Sequence, residues 1–320
     1  MFILGVSTAW IISTCEFRGK KFFSWALILP FAIPPYIMSY AFTGLFDSYG
    51  SANDLVRFIF QLDPETVPFP SVRNITGAII VFSFTLYPYV FLISQTSFLN
   101  QSRDIFDVSR TLGLSRFKTF FKVALPIARP SIVAALMLVG MEVLSDFGAV
   151  EHFAIPTFTS GIFRTWFGLN DLTTAKQLAS ILFMIFLFLI LIEKYSRRKI
   201  LYTSNSTSNR ELVPTPLKGY KEFFAIMICS LPIFVGFIIP FVQLLYWTIF
   251  FDTSFFTSDF LSLIKNSLSL AVTSSILCLF IATIINYIIR IEKNNFLSFI
   301  NKIITVKIDY RVFSASAFTS

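Results

Sequence analysis

Seven apolar runs, at 1–15, 24–46, 75–99, 131–150, 178–192, 223–250 and 261–289, account for most of this 320-residue chain. Crossing a bilayer core takes roughly 20 predominantly apolar residues. A chain with this many such runs folds as an all-α membrane protein of about seven spans, because lipid leaves no donor or acceptor for an unpaired backbone. Composition agrees, with 55% hydrophobic and only 14% charged residues. A soluble domain carries about 25% charged residues.

The charge between the runs alternates. Segments 16–23, 100–130, 193–222 and 290–320 hold 21 of the 26 Lys and Arg, whereas 47–74, 151–177 and 251–260 hold Arg57, Arg73, Arg164 and Lys176. The excess of basic residues marks the cytoplasmic side. The net charge of +8 therefore needs no nucleic-acid partner. Cys15, Cys229 and Cys278 fall in or beside apolar runs without a CxxC pair, so neither a disulfide framework nor a zinc site is expected. No G-x-x-x-x-G-K-[ST] occurs, so ATP is not held on a P-loop of this chain.

Both ends read as incomplete. The first run is short for a span and lacks the basic start and cleavage site of a signal peptide, which points to further sequence upstream. "TAWIISTCEFRGKKF" (8–22) loosely repeats "TIINYIIRIEKNNF" (283–296), and only the later copy has a whole span before it. The tail "KIDYRVFSASAFTS" (307–320) has no span-length apolar run; it reads as a frayed terminus or as a break in a longer chain.

The basic insert 100–130 has a local structure of its own. Ile105, Val108 and Leu112 recur at helical spacing with Phe106 beside them. Ser102 is placed to cap that helix and Asp104 suits its first turn. Gly113 falls where a left-handed residue ends a helix. Ser115 offers a second cap, and Phe117, Phe120, Phe121 and Ala124 then fall at i, i+3, i+4 and i+7. Pro126 disfavours helix at Leu125 and is expected to stop the segment. An interfacial helix on the anionic lipid leaflet, a docking surface for a cytoplasmic partner, and a solvated loop all fit the basic composition. A fixed glycine break favours the docking surface.

The spacing resembles a known signature. Permeases of ATP-binding cassette importers carry a cytoplasmic E-A-A, three residues, Gly, nine residues, then I-x-L-P. Here Asp107, Val108 and Ser109 stand at E-A-A, Gly113 at the glycine, and Val123, Leu125 and Pro126 in the closing motif; Asp107 and Ser109 are mild departures. The resemblance implies that this helix pair docks on a separate ATP-binding subunit. That subunit would be a homodimer and the only user of ATP, while this chain is no enzyme and binds no cofactor. It further implies a type I permease fold in a bacterial inner membrane, an external (periplasmic) solute-binding protein, and a second permease chain as a further candidate partner.

"LPFAIPPYIMSYAF" (29–42), "LYPYVFLISQ" (86–95) and "MEVLSDFGAVEHFAIPTFTSGIFRTWF" (141–167) look like the ferric-iron permeases, in which two permease halves are fused. The likeness covers about 1–195 closely and 223–290 loosely, without a second coupling loop. The implied organisation is a first permease half at 1–195 whose first span is incomplete, a cytoplasmic linker at 196–222, and the truncated start of a second half at 223–320. Permeases for thiamine, polyamines, sulfate and phosphonates share the coupling loop. An ion-gradient transporter, which needs no such dock, is the rival from another class.

Glu142 and Asp146 are spaced i, i+4 and are expected on one helix face, Glu142 mid-run and Asp146 nearer the outside. A charge at mid-bilayer costs about 2.5–3.5 kcal/mol on insertion scales, so both are candidates for the translocation pathway. Hard cations prefer oxygen ligands, yet no metal ligand is assigned, because a helix–helix or gate contact explains the pair equally. Pro30, Pro34 and Pro35 predict a kinked span. Tyr36, Tyr87 and Tyr89 read as interface or interhelix residues, and the lone His152 as a loop residue rather than a metal site.

Overall fold

The computed structural model describes residues 1–63, 65–101, 103–198, 214–250 and 258–291. Ser102, most of the linker (199–213) and the 292–320 tail lie outside them, as do the side chains of Asp104 and Ile105. The chain divides into two compact units, Met1–Trp247 and Thr248–Ser320. The second contributes one long apolar helix, Ser258–Ile291.

Among the described residues five helices are long and apolar enough to cross a membrane, or six if one bent pair counts as a span. In the first unit, α1 (Phe2–Thr14) has 13 residues, too few to span by itself. It lays a stripe of small residues, Gly5, Thr8, Ala9 and Ser13, against α5 (Ile75–Leu99). A Cβ built on Gly5 would come 2.6 Å from Val90 Cβ and 2.9 Å from the Phe91 nitrogen. Apolar burial gives little drive between helices in lipid, so close backbone approach through small residues supplies the packing.

The second apolar run is broken, as its prolines predict. A short helix α2 (Lys20–Ala26) passes into a 3-10 turn at Leu29–Ala32, and α3 (Pro35–Phe46) leaves at 87° to them. Pro30 has no N–H to give the Leu27 carbonyl, and the Phe31 N–H goes to Ile28 O instead. The orphan carbonyl is met from outside: the fully buried Tyr87 on α5 donates its hydroxyl to Leu27 O at 2.6 Å. Phe31 packs edge-on to Tyr89 at 4.5 Å. The connection from α3 to α5 contains α4 (Ser51–Phe60), and Asn74 caps α5 by accepting from the Gly77 N–H.

The expected stop at Pro126 is overturned. After α6 (Arg103–Thr111), helix α7 (Arg116–Thr119) runs through a π turn at Phe120–Ala124 into α8 (Leu125–Ser145), giving 30 helical residues from Arg116 to Ser145. The proline ring clashes with the carbonyl four residues back in an α-helix. The π turn inserts a residue ahead of it, and the Leu125 N–H reaches back to Phe120 O. Pro126 then sits at the start of α8 with nothing to break.

Past α8 come α9 (Gly148–His152), α10 (Phe158–Phe163) and α11 (Leu172–Arg198). The first unit extends beyond the expected join at 196–222, because the chain folds back after it. Thr215–Pro216 (β2) pairs in parallel with Cys15–Glu16 (β1), and Glu222 accepts from the Arg18 N–H at 3.0 Å. The apolar stretch made of α12 (Tyr220–Ile233), a π turn and α13 (Ile239–Phe250) follows.

Candidate coupling element and membrane pathway

The insert folds as helix, glycine turn, helix. Gly113 takes φ +73, and a Cβ there would meet open space. The Leu114 N–H bonds Ser109 O at 3.0 Å, the six-to-one bond that closes a helix over a left-handed residue. Ser115 caps α7 by accepting from the Lys118 N–H. Both features were legible as sequence.

The expected single apolar face was not one face. Phe120 and Ala124 turn inward, while Phe117 and Phe121 meet at 4.7 Å with tilted rings and stay exposed. The π turn is the cause. Buried positions step by five from Thr119 to Ala124 and then by four to Ala128, so the inward stripe changes register inside the insert.

Sequence reasoning missed what fastens the insert to the spans. Trp10 of α1 meets Phe106 of α6 at 5.9 Å, Phe120 at 5.0 Å and Phe98 of α5 at 5.3 Å. Gln101, nearly fully buried, donates to Ala124 O at 2.9 Å. One signal was available: a glutamine directly after a span is an unusual residue to bury. Of the motif positions, Ser109 is buried at 3% exposure, which a larger side chain would prevent. Val108 and Leu112 face outward with Phe117 and Phe121. Asp107, Val123 and Leu125 are half-buried and Pro126 is exposed. The result is an outward apolar knob whose inner side is bonded to α1, α5 and α8.

The acidic pair does not share a helix face, which corrects the i, i+4 expectation. Helix α8 ends at Ser145, so Glu142 occupies its last turn. Asp146 has extended backbone, and its Oδ1 accepts from the Ala149 and Val150 N–H groups at 2.9 and 3.4 Å. Asp146 thus caps α9, because a carboxylate just beyond one helix is the nearest acceptor for the free donors of the next. Glu142 is exposed and close enough to Tyr89 to act on it electrostatically. Among the described residues none forms an ion pair with it.

His152 is packed rather than free. Its Nε2 lies 2.9 Å from Thr43 Oγ1, with the Tyr40 ring at 5.5 Å and the Tyr36 ring at 6.2 Å. Burial, and then Arg73, hold the imidazole below its ordinary pKa against the opposing pull of Asp47. No cluster of three or more His, Cys, Asp or Glu able to hold a metal occurs among the described residues.

Comparison with known proteins converges on this architecture. Residues 1–197 match the model of the binding-protein-dependent transport system inner membrane component family. The Fe(3+)-transport system permease protein FbpB 2 of Haemophilus influenzae is 25% identical over 268 residues, 82% of this chain and 48% of that protein. The putative molybdenum transport system permease protein YvgM of Bacillus subtilis is 26% identical over 152 residues, 48% of this chain and 64% of that one. The probable sulfate transport system permease protein cysT of Prototheca wickerhamii is 29% identical over 148 residues, 46% of this chain and 55% of that one. The chain spans about half the length of the first relative and less than two thirds of the other two. With its multi-pass helical fold and more than half its length matched, the chain belongs to the family of binding-protein-dependent transport system inner membrane components.

Proposed function

We propose that this chain is permease material of an ATP-binding cassette importer and that its cargo is ferric iron. The coupling reading rests on one observation: the element carrying an exposed apolar knob, Val108, Leu112, Phe117 and Phe121, is tied through Phe106 and Phe120 to Trp10 of α1, which also packs on Phe98 of α5. Such a knob fits a groove on an ATP-binding subunit, with Asp107, Ser109, Gly113, Val123, Leu125 and Pro126 setting its shape. A push on α6 or the π turn reaches α1 and α5 through one aromatic contact set. ATP is then used only by the partner, a homodimer, and this chain binds no cofactor.

The basic residues of its segment support a knob on the cytoplasmic side, in this reading that of a bacterial inner membrane. An external solute-binding protein delivers the cargo to the opposite side. A second permease surface completes the pathway, from more of the same polypeptide or from another chain.

Cargo is argued from charge. Glu142 sits exposed in the last turn of α8, where the helix dipole is already negative. The two negative contributions add, which attracts a cation and repels an oxyanion. That favours ferric iron over molybdate or sulfate, although relatives named for those solutes match too. Asp146, committed to capping α9, is a positioning residue in this scheme.

Two substitutions test the reading. Gly113→Leu keeps open space around the side chain but strains the backbone by about 1 kcal/mol. ATP-driven uptake is expected to fall about tenfold or more, within the usual range of coupling free energies, with membrane insertion unchanged. Undiminished uptake would favour an ion-gradient transporter. Glu142→Gln is expected to lower ferric-iron uptake; uptake at the parent rate sinks the cargo argument and leaves the coupling argument standing.

A further inference from the structure

Helix α4 has its polarity turned inside out. Asn53 is fully buried and donates to Phe46 O at 3.2 Å and Asp47 O at 2.8 Å, while accepting from the Phe69 N–H at 2.9 Å. Arg57 folds to the same side, donating to Ser48 O at 2.7 Å, to Thr66 O at 3.3 Å and to Asp54 Oδ1 at 2.6 Å. The opposite side offers Leu55, Phe58 and Ile59, spaced i, i+3, i+4. All three are exposed, Phe58 at 84%. A helix on a water-facing surface shows the reverse arrangement.

The position of α4 says what covers this face. Arg73 bridges Asp47 at 3.0 Å, and Phe46 packs on Phe69 at 5.4 Å, so the end of α3 and the start of α5 share one level. At that level the first turns of α5 also expose Ile75, Ile79 and Ile80, apolar surface on a helix long enough to span. Asn53 ties α4 to Phe46, Asp47 and Phe69, so its apolar face lies at the same level. Apart from Ser51 at its start, whose hydroxyl donates to Gln243 Oε1 at 2.7 Å, and Asp54 at its edge, the stripe presents no donor, acceptor or charge, whereas a docked protein uses about one hydrogen bond per 100–200 Å² of interface.

We propose that α4 is a membrane anchor rather than an aqueous loop helix. Its Leu55, Phe58 and Ile59 face sits among the acyl chains of the outer leaflet, with Asp54 toward the headgroups. This assignment rests on the chain crossing a membrane and is independent of its cargo. It gives the outer half of the broken span a fixed point: α3 is held by lipid through α4 on one side, and by His152 through Thr43 on the other.

Quenching in vesicles tests it. Phe58→Cys and Asp54→Cys are made in the full chain with Cys15, Cys229 and Cys278 changed to Ser, labelled with a nitrobenzoxadiazole probe, and reconstituted in phosphatidylcholine. At position 58 brominated acyl chains are expected to quench about tenfold more than aqueous iodide does, and at position 54 the preference reverses. Preferential quenching of position 58 by iodide overturns the proposal, as does protection of 58 that appears only when a binding protein is added. Should the cysteine-free chain not fold, hydroxyl-radical oxidation of the unaltered chain in vesicles gives the same decision. Phe58 is expected to be oxidised far less than Phe117, which is less exposed at 73%; equal or greater oxidation of Phe58 refutes the anchor.

Discussion

Tyr87→Phe isolates the one bond that makes the broken span possible. The hydroxyl is the only group lost, and the ring continues to fill its fully buried site. What remains is the Leu27 carbonyl. Its local donors are gone, since Pro30 has no N–H and the Phe31 N–H is engaged by Ile28. A typical hydrogen bond contributes about 0.5–1.5 kcal/mol net, and leaving a buried partner unsatisfied costs about 1–3 kcal/mol. At the 2.6 Å of this bond we expect about 2 kcal/mol, from the upper half of that range. For a chain of this size that lowers the melting temperature by about 3 °C, readable by thermal unfolding in detergent with a fluorescent reporter. Tyr89→Phe provides the control, because Tyr89 meets the break through ring packing on Phe31. Equal stability of Tyr87→Phe and the parent would refute the reasoning, since it would mean that the Leu27 carbonyl finds another donor at no cost.

Two further expectations concern helix packing and pH. Gly5→Ala places a methyl group 2.9 Å from a backbone nitrogen of α5, so the helices must separate; a loss of about 1–3 kcal/mol is expected, and an unchanged melting temperature contradicts the close approach. His152 is held below its ordinary pKa by burial and by Arg73, so the unfolded chain binds the proton more readily than the folded one. Stability is therefore full above the ordinary histidine pKa and declines as pH falls through it, levelling off below the folded value. Melting curves across that window should lose this slope in His152→Asn, and a slope that persists assigns it to another group.

The chain's own pattern determined a good deal. Apolar runs are local properties, and they set the helical, multi-pass class. Gly113 and Ser115 are legible for the same reason: a left-handed turn and a helix cap are decided within five residues. Tertiary structure decided whatever depends on a partner far along the sequence. Pro30 announces a break, but only Tyr87, 57 residues later, lets the break persist in lipid. Pro126 reads locally as a stop, yet a π turn carries the helix through it and splits the phenylalanines of the insert between an inner and an outer face. Asp146 is in helical register with Glu142 by spacing alone, and was claimed instead by the free N–H groups of α9. Helix α4 hides its polar side because Phe46, Asp47, Ser48 and Phe69 offer backbone partners there. In each case spacing in the sequence fixes which groups can be helical, while the donors, acceptors and packing surfaces supplied from elsewhere in the chain fix which of them are.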